Sequence, residues 1–211
     1  MALRKTLDLY VYVVPCKTFP GLQNKFGEVD VVLVRQNTEG EYLMLEHEPI
    51  PGVAESLKIV TRYNSARLAE FAFKYAIEHK RKLVTVVHNA DVQPLSEGLF
   101  VEAALDVSKK YPGVKVNVKE VGVAATQMCR DPNAFDVILA TNLNGSMMMN
   151  FLNGMIGGPA MSAGTNLAED GIAVFEPGVR NKGSSIVNQG KANPIAMMLA
   201  SVGIMEIGKV N

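Results

Sequence analysis

Histidine is the residue type in this chain that could most directly do acid–base or metal chemistry, and three are present. His88 ends the apolar run 83–87, which is typical of a strand covered on both faces. Ligands gather where such strands leave a sheet, so His88 could bind a ligand or transfer a proton; a structural histidine is the alternative. His47 and His79 have no partner at a metal-binding spacing. We therefore expect no histidine-based metal site.

A second candidate region follows the apolar run 135–141. Residues 142–145 leave this predicted strand, and Gly145 could allow a close backbone approach or simply form a turn. The helix that follows carries Ser146 and Asn150 four positions apart, hence on one face. Two carboxylates at that spacing would suit a divalent cation, because hard cations need anionic oxygens. Serine and asparagine are neutral, so we expect no strong metal site.

Three cations and a tyrosine complete the candidates. Arg4 and Arg35 stand near predicted strands, and Lys17 follows a Pro-Cys pair. Guanidinium groups suit bidentate capture of a carboxylate, although each of these cations could equally be an ordinary surface charge. Tyr42 follows an acidic loop and could be a general acid, with a half-buried structural tyrosine as the alternative.

Composition limits the partners of the chain. The 211 residues include 21 basic and 21 acidic side chains, and the neutral balance argues against binding to nucleic acid. No apolar stretch is long enough to cross a membrane. The two cysteines are expected to be reduced thiols. The first residues lack the pattern of a signal or transit peptide, and we expect the chain to begin inside a domain.

Strands and helices alternate over the middle of the chain, which predicts an α/β fold with a largely parallel sheet. The predicted strands are 7–14, ending before Pro15, then 29–35, 56–62, 83–87, 114–118 and 135–141. The first predicted helix begins near residue 64, with Asn64 or Ser65 as its cap. Further helices are predicted over 99–110, 147–156 and 195–207, the last as a core helix. Residues 157–193 are predicted to be loops. We divide the chain into 1–145, a central or small lobe with a dimerisation region, and 146–211, part of a larger domain.

Several stretches of the chain, taken in order, resemble the isocitrate and isopropylmalate dehydrogenase family. They are residues 3–10, 35–42, 87–91, 131–145, 156–158 and 192–194, so the resemblance covers nearly the whole chain. It implies an α/β fold with a mixed sheet flanked by helices, an incomplete large domain and a smaller α/β lobe. Members of the family use NAD together with Mg²⁺ or Mn²⁺.

Within the family, the chain is most similar to the regulatory, gamma-type subunits of mitochondrial NAD-dependent isocitrate dehydrogenases. The similarity lies in residues 14–21, 175–183 and 185–188. Catalytic subunits carry an arginine in place of Val14 and a His-Gly-Thr/Ser-Ala-Pro-Asp loop in place of 177–181. That loop holds the adenine end of NAD, so its replacement weakens the expectation of NAD binding. Asn193 remains as a weak candidate for a cofactor contact.

The resemblance also implies that the reaction's chemistry is lost. The metal-binding aspartates of the family align with neutral residues, namely Gly122, Ser146 and Asn150. The lysine base aligns with Asn89, and a family asparagine aligns with Asp91. The family residues that remain are Arg4, Arg35 and Tyr42. Because the family gives its lysine and one aspartate to the neighbouring subunit's site, this chain is not expected to support a partner in that way.

We therefore predict a noncatalytic regulatory or structural subunit of NAD-dependent isocitrate dehydrogenase, in the mitochondrial matrix and in a hetero-oligomer with a catalytic subunit. Arg4, Lys17 and Arg35 would bind a tricarboxylate such as citrate, and a nucleotide is the alternative effector. One rival prediction is an active NAD-dependent isocitrate dehydrogenase with an altered Mg²⁺ or Mn²⁺ site. The other is an interaction protein recruited to another mitochondrial assembly.

Overall fold

A seven-stranded mixed sheet forms the centre of the protein, in the strand order β6-β5-β7-β2-β1-β8-β9. The computed structural model describes residues 2–178 and 183–207. The strands of the sheet are β1 (Val11–Lys17), β2 (Asp30–Gln36), β5 (Leu83–His88), β6 (Lys115–Glu120), β7 (Val137–Ala140), β8 (Ala163–Leu167) and β9 (Ala173–Pro177). A separate hairpin consists of β3 (Glu46–Ile50) and β4 (Val53–Ser56). The helices are α1 (Ala2–Thr6), α2 (Arg62–Glu78), α3 (Ser96–Ser108), α4 (Val121–Arg130), α5 (Asn142–Met155) and α6 (Ile195–Ile207).

The sheet has a parallel half and an antiparallel half. Strands β6, β5, β7 and β2 pair in parallel, whereas β1, β8 and β9 continue the sheet with antiparallel pairs. Helices α2 and α3 cover one face of the parallel half, and α4 and α5 cover the other. The mixed α/β fold with flanking helices is confirmed. The expected parallel pairing holds for the middle of the chain, where helices connect the strands.

The beginning of the chain differs from the predicted strand 7–14. Residues 2–6 form α1, and Asp8, at φ 44°, turns the chain into a strand that starts only at Val11. The prediction that Pro15 ends this strand is wrong, because Pro15 pairs with Val32 inside β1. The pairing of β1 with β8 covers only Val11 to Val13, so the missing N–H of Pro15 interrupts no ladder on that side.

Other differences arise where local sequence signals are weak. Helix α4 was not predicted, and β8 and β9 lie in the segment predicted to be loops. Within the predicted strand 56–62, only Ser56 is in a strand. Helix α2 is capped by Thr61, whose side chain accepts a hydrogen bond from the Asn64 N–H, so the predicted cap at Asn64 or Ser65 is wrong. The strands β8 and β9 are short and only partly buried, which explains why no apolar run marks them.

Helix α6 has the predicted bounds but is not a core helix among the described residues. Ala196 and Ala200 are buried, whereas the large side chains of Met197, Met198 and Met205 are exposed. The helix packs on the sheet through small residues: a Cβ added at position 203 would lie 2.8 Å from the ring of Phe175. No helix within the described residues is long and apolar enough to span a membrane.

Two further predictions concern the chain as a whole. Cys16 and Cys129 are both free, as expected, and burial raises the pKa of the Cys16 thiol to about 12. The strands on the two sides of residue 145 belong to the same sheet, since β8 pairs with β1. The division at that residue stays a prediction.

A buried carboxylate joins the elements at the carboxyl ends of the parallel strands. Glu97, in the first turn of α3, has no exposed surface. It accepts hydrogen bonds from the Lys58 ammonium, the Thr141 hydroxyl, the Asn144 amide and the Asn89 N–H. These donors come from the segment before α2, the end of β7, the first turn of α5 and the loop after β5. One carboxylate therefore holds four segments together at the carboxyl ends of the parallel strands.

Removal of the cation from this cluster should destabilise the fold strongly. Lys58→Met is expected to lower the free energy of unfolding by about 3–5 kcal/mol, because Glu97 would stay buried without its charge partner. Urea denaturation followed by circular dichroism measures this change. Lys74→Met is the control: Lys74 is 65% exposed beside Glu70, and its loss should cost less than about 0.5 kcal/mol. Equal losses for the two variants would show that Glu97 does not depend on Lys58.

Candidate functional site

Arg35 lies at the centre of the candidate site, near the carboxyl end of β2. Its side chain is fully buried, and its Nε and Nη2 atoms donate to Asn142 Oδ1 at 3.0 and 2.7 Å. Asn142 begins α5, and its side-chain amide donates to the Glu39 carbonyl oxygen at 2.7 Å. The guanidinium is thereby docked on the first turn of the helix.

Aromatic rings and a second arginine extend the site from Arg35. The Arg35 guanidinium carbon lies 5.0 Å from the centroid of the Tyr42 ring and 5.9 Å from that of Tyr12. Arg4 lies 5.8 Å from the same Tyr12 ring. The Tyr42 hydroxyl donates to Ser146 Oγ at 3.0 Å. We call the set Arg4, Tyr12, Arg35 and Tyr42 the cation row; cations near ring faces at these distances are stabilised by the ring quadrupole.

Two glycines make room for this arrangement. A Cβ at position 145 would lie 2.7 Å from Cγ of Arg35, and a Cβ at position 164 would overlap the Tyr12 ring. The close approach expected at Gly145 is thus an approach of α5 to Arg35. Larger residues at either position would push α5 or β8 away from the cation row.

The three residues expected from the resemblance to match the family's metal ligands lie on two helices, and all three are neutral. Ser146 is buried and bonded to Tyr42, Asn150 is exposed on α5, and Gly122 is exposed in the first turn of α4. The nearby Glu120 caps α4, and hydrogen bonds from the Gly122 and Val123 N–H groups hold the pKa of its carboxyl below its usual value. Among the described residues, no group of three or more His, Cys, Asp or Glu could hold a metal ion. The donors at these positions do not fit Mg²⁺ or Mn²⁺.

Asn89, the residue expected from the resemblance to match the family's base, offers no proton acceptor. The Asn89 backbone N–H donates to Glu97 at 3.1 Å, which fixes the loop but leaves only a neutral amide side chain. Asp91 is exposed two residues later. His88 Nδ1 accepts from the Ala90 N–H at 3.0 Å, so this histidine closes a turn, as the structural alternative predicts. A role of His88 in ligand binding or proton transfer stays untested.

Lys17 is not brought to the cation row. In the register of β1 and β2, Lys17 is opposite Asp30 whereas Tyr12 is opposite Arg35. Five strand positions at roughly 3.3 Å each separate the two ends. Lys17 is 70% exposed and pairs with Asp30 at 3.1 Å. Lys17 is therefore a surface cation at the opposite end of β1 from Tyr12.

The cofactor candidates lie apart from these residues. Asn193 Oδ1 accepts from the Ile195 N–H at 3.0 Å at the start of α6. In the segment that replaces the family's adenine loop, Gly178 donates its N–H to the Ser162 carbonyl at 2.9 Å. Residues 179–182, which include most of that segment, lie outside the described residues.

Sequence reasoning missed Tyr12 and Glu176. Arg4 Nη2 donates to Glu176 Oε1 at 3.1 Å across 172 positions of sequence. No local pattern signals such a pair, because only the sheet brings α1 and β9 together. Tyr12 lay in a predicted strand, but its contacts with two arginines depend on the same sheet.

The fold and the site can be compared with known proteins. A family model described as isocitrate/isopropylmalate dehydrogenase matches residues 1–209. The chain is 44% identical over 204 residues to the mitochondrial isocitrate dehydrogenase (NAD) subunit gamma of Homo sapiens, which covers 97% of this chain and 52% of that protein. It is 45% identical over 202 residues to the mitochondrial isocitrate dehydrogenase (NAD) regulatory subunit 1 of Arabidopsis thaliana, covering 94% of this chain and 55% of that protein.

The chain thus spans about half the length of these curated relatives. Among solved structures, the isocitrate dehydrogenase from Methylococcus capsulatus superposes with a TM-score of 0.92 at 37% identity, covering 97% of this chain and 61% of that one. Sequence and fold agree over nearly all of the chain. It belongs to the isocitrate/isopropylmalate dehydrogenase family.

Proposed function

We propose that this chain is a noncatalytic regulatory subunit of a mitochondrial NAD-dependent isocitrate dehydrogenase. The observation that carries the proposal is the neutral character of every catalytic metal position, with Ser146 hydrogen-bonded to Tyr42 in place of a metal-ligating carboxylate. The names of the relatives support the same role and a mitochondrial location, within which we assign the protein to the matrix. Its partner would be a catalytic isocitrate dehydrogenase subunit in a hetero-oligomer.

The chemistry of the reaction explains why these positions matter. Oxidative decarboxylation of isocitrate to 2-oxoglutarate requires removal of a hydroxyl proton and stabilisation of negative charge that develops on oxygen. In this chain Asn89 cannot accept the proton, and Gly122, Ser146 and Asn150 offer no charge to hold a divalent cation. The proposal therefore assigns neither NAD nor Mg²⁺ or Mn²⁺ to this chain, and leaves both to the catalytic partner.

The cation row is the part of the site that still suits a ligand. Arg35 has no exposed surface, whereas the Arg4 side chain is 20% exposed, so an incoming carboxylate meets Arg4 first. The buried Arg35 adds a positive charge in a region of low dielectric, where it attracts an anion more strongly than in water. A tricarboxylate such as citrate fits this chemistry, and a nucleotide phosphate is the alternative. The position of Lys17 excludes it from this contact.

The isolated protein should not oxidise isocitrate. With isocitrate, NAD and either Mg²⁺ or Mn²⁺, we expect no NADH formation above the background measured by absorbance, while a catalytic member of the family reacts in the same assay. Ser146→Asp should stay inactive as well, because two metal positions and the base position remain neutral. Steady turnover by the unmodified chain would favour the rival reading of an active dehydrogenase with an altered metal site.

Association distinguishes the regulatory subunit from an interaction protein of another assembly. Affinity purification of the protein from its source should recover a catalytic isocitrate dehydrogenase subunit in comparable amount, identified by mass spectrometry. Recovery of a different assembly without that subunit would contradict the proposal.

Citrate binding should depend on Arg4. Calorimetric titration of Arg4→Gln is expected to show an affinity for citrate at least about ten-fold below that of the unmodified chain, which corresponds to roughly 1.4 kcal/mol. Lys5→Gln removes the same charge from the neighbouring, exposed position of α1 and should leave the affinity nearly unchanged. Equal losses in both variants would mean that only the overall charge matters and that citrate does not contact Arg4.

A further inference from the structure

The cation row is contacted by a carboxylate that is not among the site residues expected from the family resemblance. Glu176, on β9, accepts a hydrogen bond from Arg4 Nη2 at 3.1 Å, and the two side chains are 38% and 20% exposed. The register places Glu176 opposite Gly164 on β8. Because Gly164 has no side chain, the Tyr12 ring lies against β8 and Arg4 lies beside that ring, within reach of Glu176.

A ligand carboxylate that binds Arg4 comes close to the negatively charged carboxylate of Glu176. Two carboxylates beside one guanidinium repel each other, so the ligand either displaces Glu176 or binds beside it with a penalty. The Arg4–Glu176 pair is partly exposed and joined by one hydrogen bond, and such pairs are weak enough to exchange partners. Formal charges of +1 on Arg4, +1 on Arg35 and −1 on Glu176 leave a smaller positive charge than the arginines alone would give.

We propose that Glu176 is the specificity-determining residue of the cation row: it weakens the binding of every acid at Arg4, citrate included, and does so more strongly as the charge of the acid increases. The inference rests on the anion binding proposed above and adds a determinant that the family comparison does not supply. Repulsion by Glu176 increases with the charge of the ligand, so it disfavours a tricarboxylate more than a dicarboxylate. The Glu176 carboxylate accepts the hydrogen bond from Arg4 in the free protein and competes with a ligand carboxylate for that guanidinium.

Calorimetry with two simple acids tests this role. Tricarballylate carries three carboxylates and glutarate carries two, and neither has a hydroxyl group that would add other contacts. Glu176→Gln should bind tricarballylate about ten-fold more tightly than the unmodified chain, with a smaller gain for glutarate. Glutamine keeps an oxygen that can accept from Arg4, so the variant retains the contact while losing the charge. Glu176→Asp keeps the charge and should bind both acids at most as tightly as Glu176→Gln does.

Glu169→Gln provides the matched control. Glu169 is exposed in the turn of the same β8–β9 hairpin, and its replacement changes the net charge equally. We expect its affinities to remain within about two-fold of those of the unmodified chain, because exposed charges at a distance are screened by salt. Thermal unfolding of all variants confirms that each is folded at the temperature of the titration.

The results separate this inference from the function on which it rests. Unchanged or weaker binding in Glu176→Gln, equal gains in Glu169→Gln, or absence of binding in every form would overturn the role of Glu176. These outcomes leave the regulatory function intact, since that function fails on different grounds, namely turnover by the isolated chain or recovery without a catalytic subunit. A larger gain for tricarballylate than for glutarate in Glu176→Gln alone supports the inference.

Discussion

The buried carboxylate of Glu97 is the constraint on which the geometry of the site depends. Its donors include Thr141 and Asn144, which flank Asn142 at the start of α5. Asn142 in turn accepts hydrogen bonds from Nε and Nη2 of Arg35. A single helical turn therefore connects an internal anion on one side with an internal cation on the other. Partly satisfied buried networks are costly, so the full set of donors to Glu97 keeps this turn in one position.

The packing around Arg35 and Tyr12 is close, and the residues expected to match the family's reactive groups are neutral. Gly145 and Gly164 still make room for Arg35 and Tyr12, so the close packing around the cation row is preserved. At the same time the Tyr42 hydroxyl bonds to Ser146, which satisfies both groups without a metal ion. Hydroxyl groups that are paired with each other carry no desolvation penalty of the kind that an unpaired buried carboxylate would have.

The sequence predicted correctly those strands and helices that have a clear apolar pattern in their own residues. Strands β5 and β7 form continuous buried runs, and the cores of α3 and α5 follow from apolar spacing. Strands β8 and β9 were missed because pairing with β1, rather than apolar content, creates them. The same limit applies to the site. Arginines are usually exposed, so nothing local predicts the complete burial of Arg35, and the Arg4–Glu176 pair spans 172 positions.

If the proposed function holds, the loss of catalysis and the binding of an anion have one physical cause. The family resemblance implies that catalytic members hold a cation with carboxylates near Arg4 and Arg35, where those carboxylates offset part of the positive charge. Here Ser146 and Asn150 are neutral, while the Arg35 guanidinium rests on a neutral amide oxygen and the faces of two tyrosine rings. Loss of the carboxylates makes the potential more positive, whereas loss of the divalent cation that they would hold makes it less positive. Three aspartates outweigh one divalent cation in formal charge, so the net change still favours an anion. On the proposed function, the neutral residues at the metal positions would therefore also favour a bound acid, and the partly exposed Glu176 would moderate this effect.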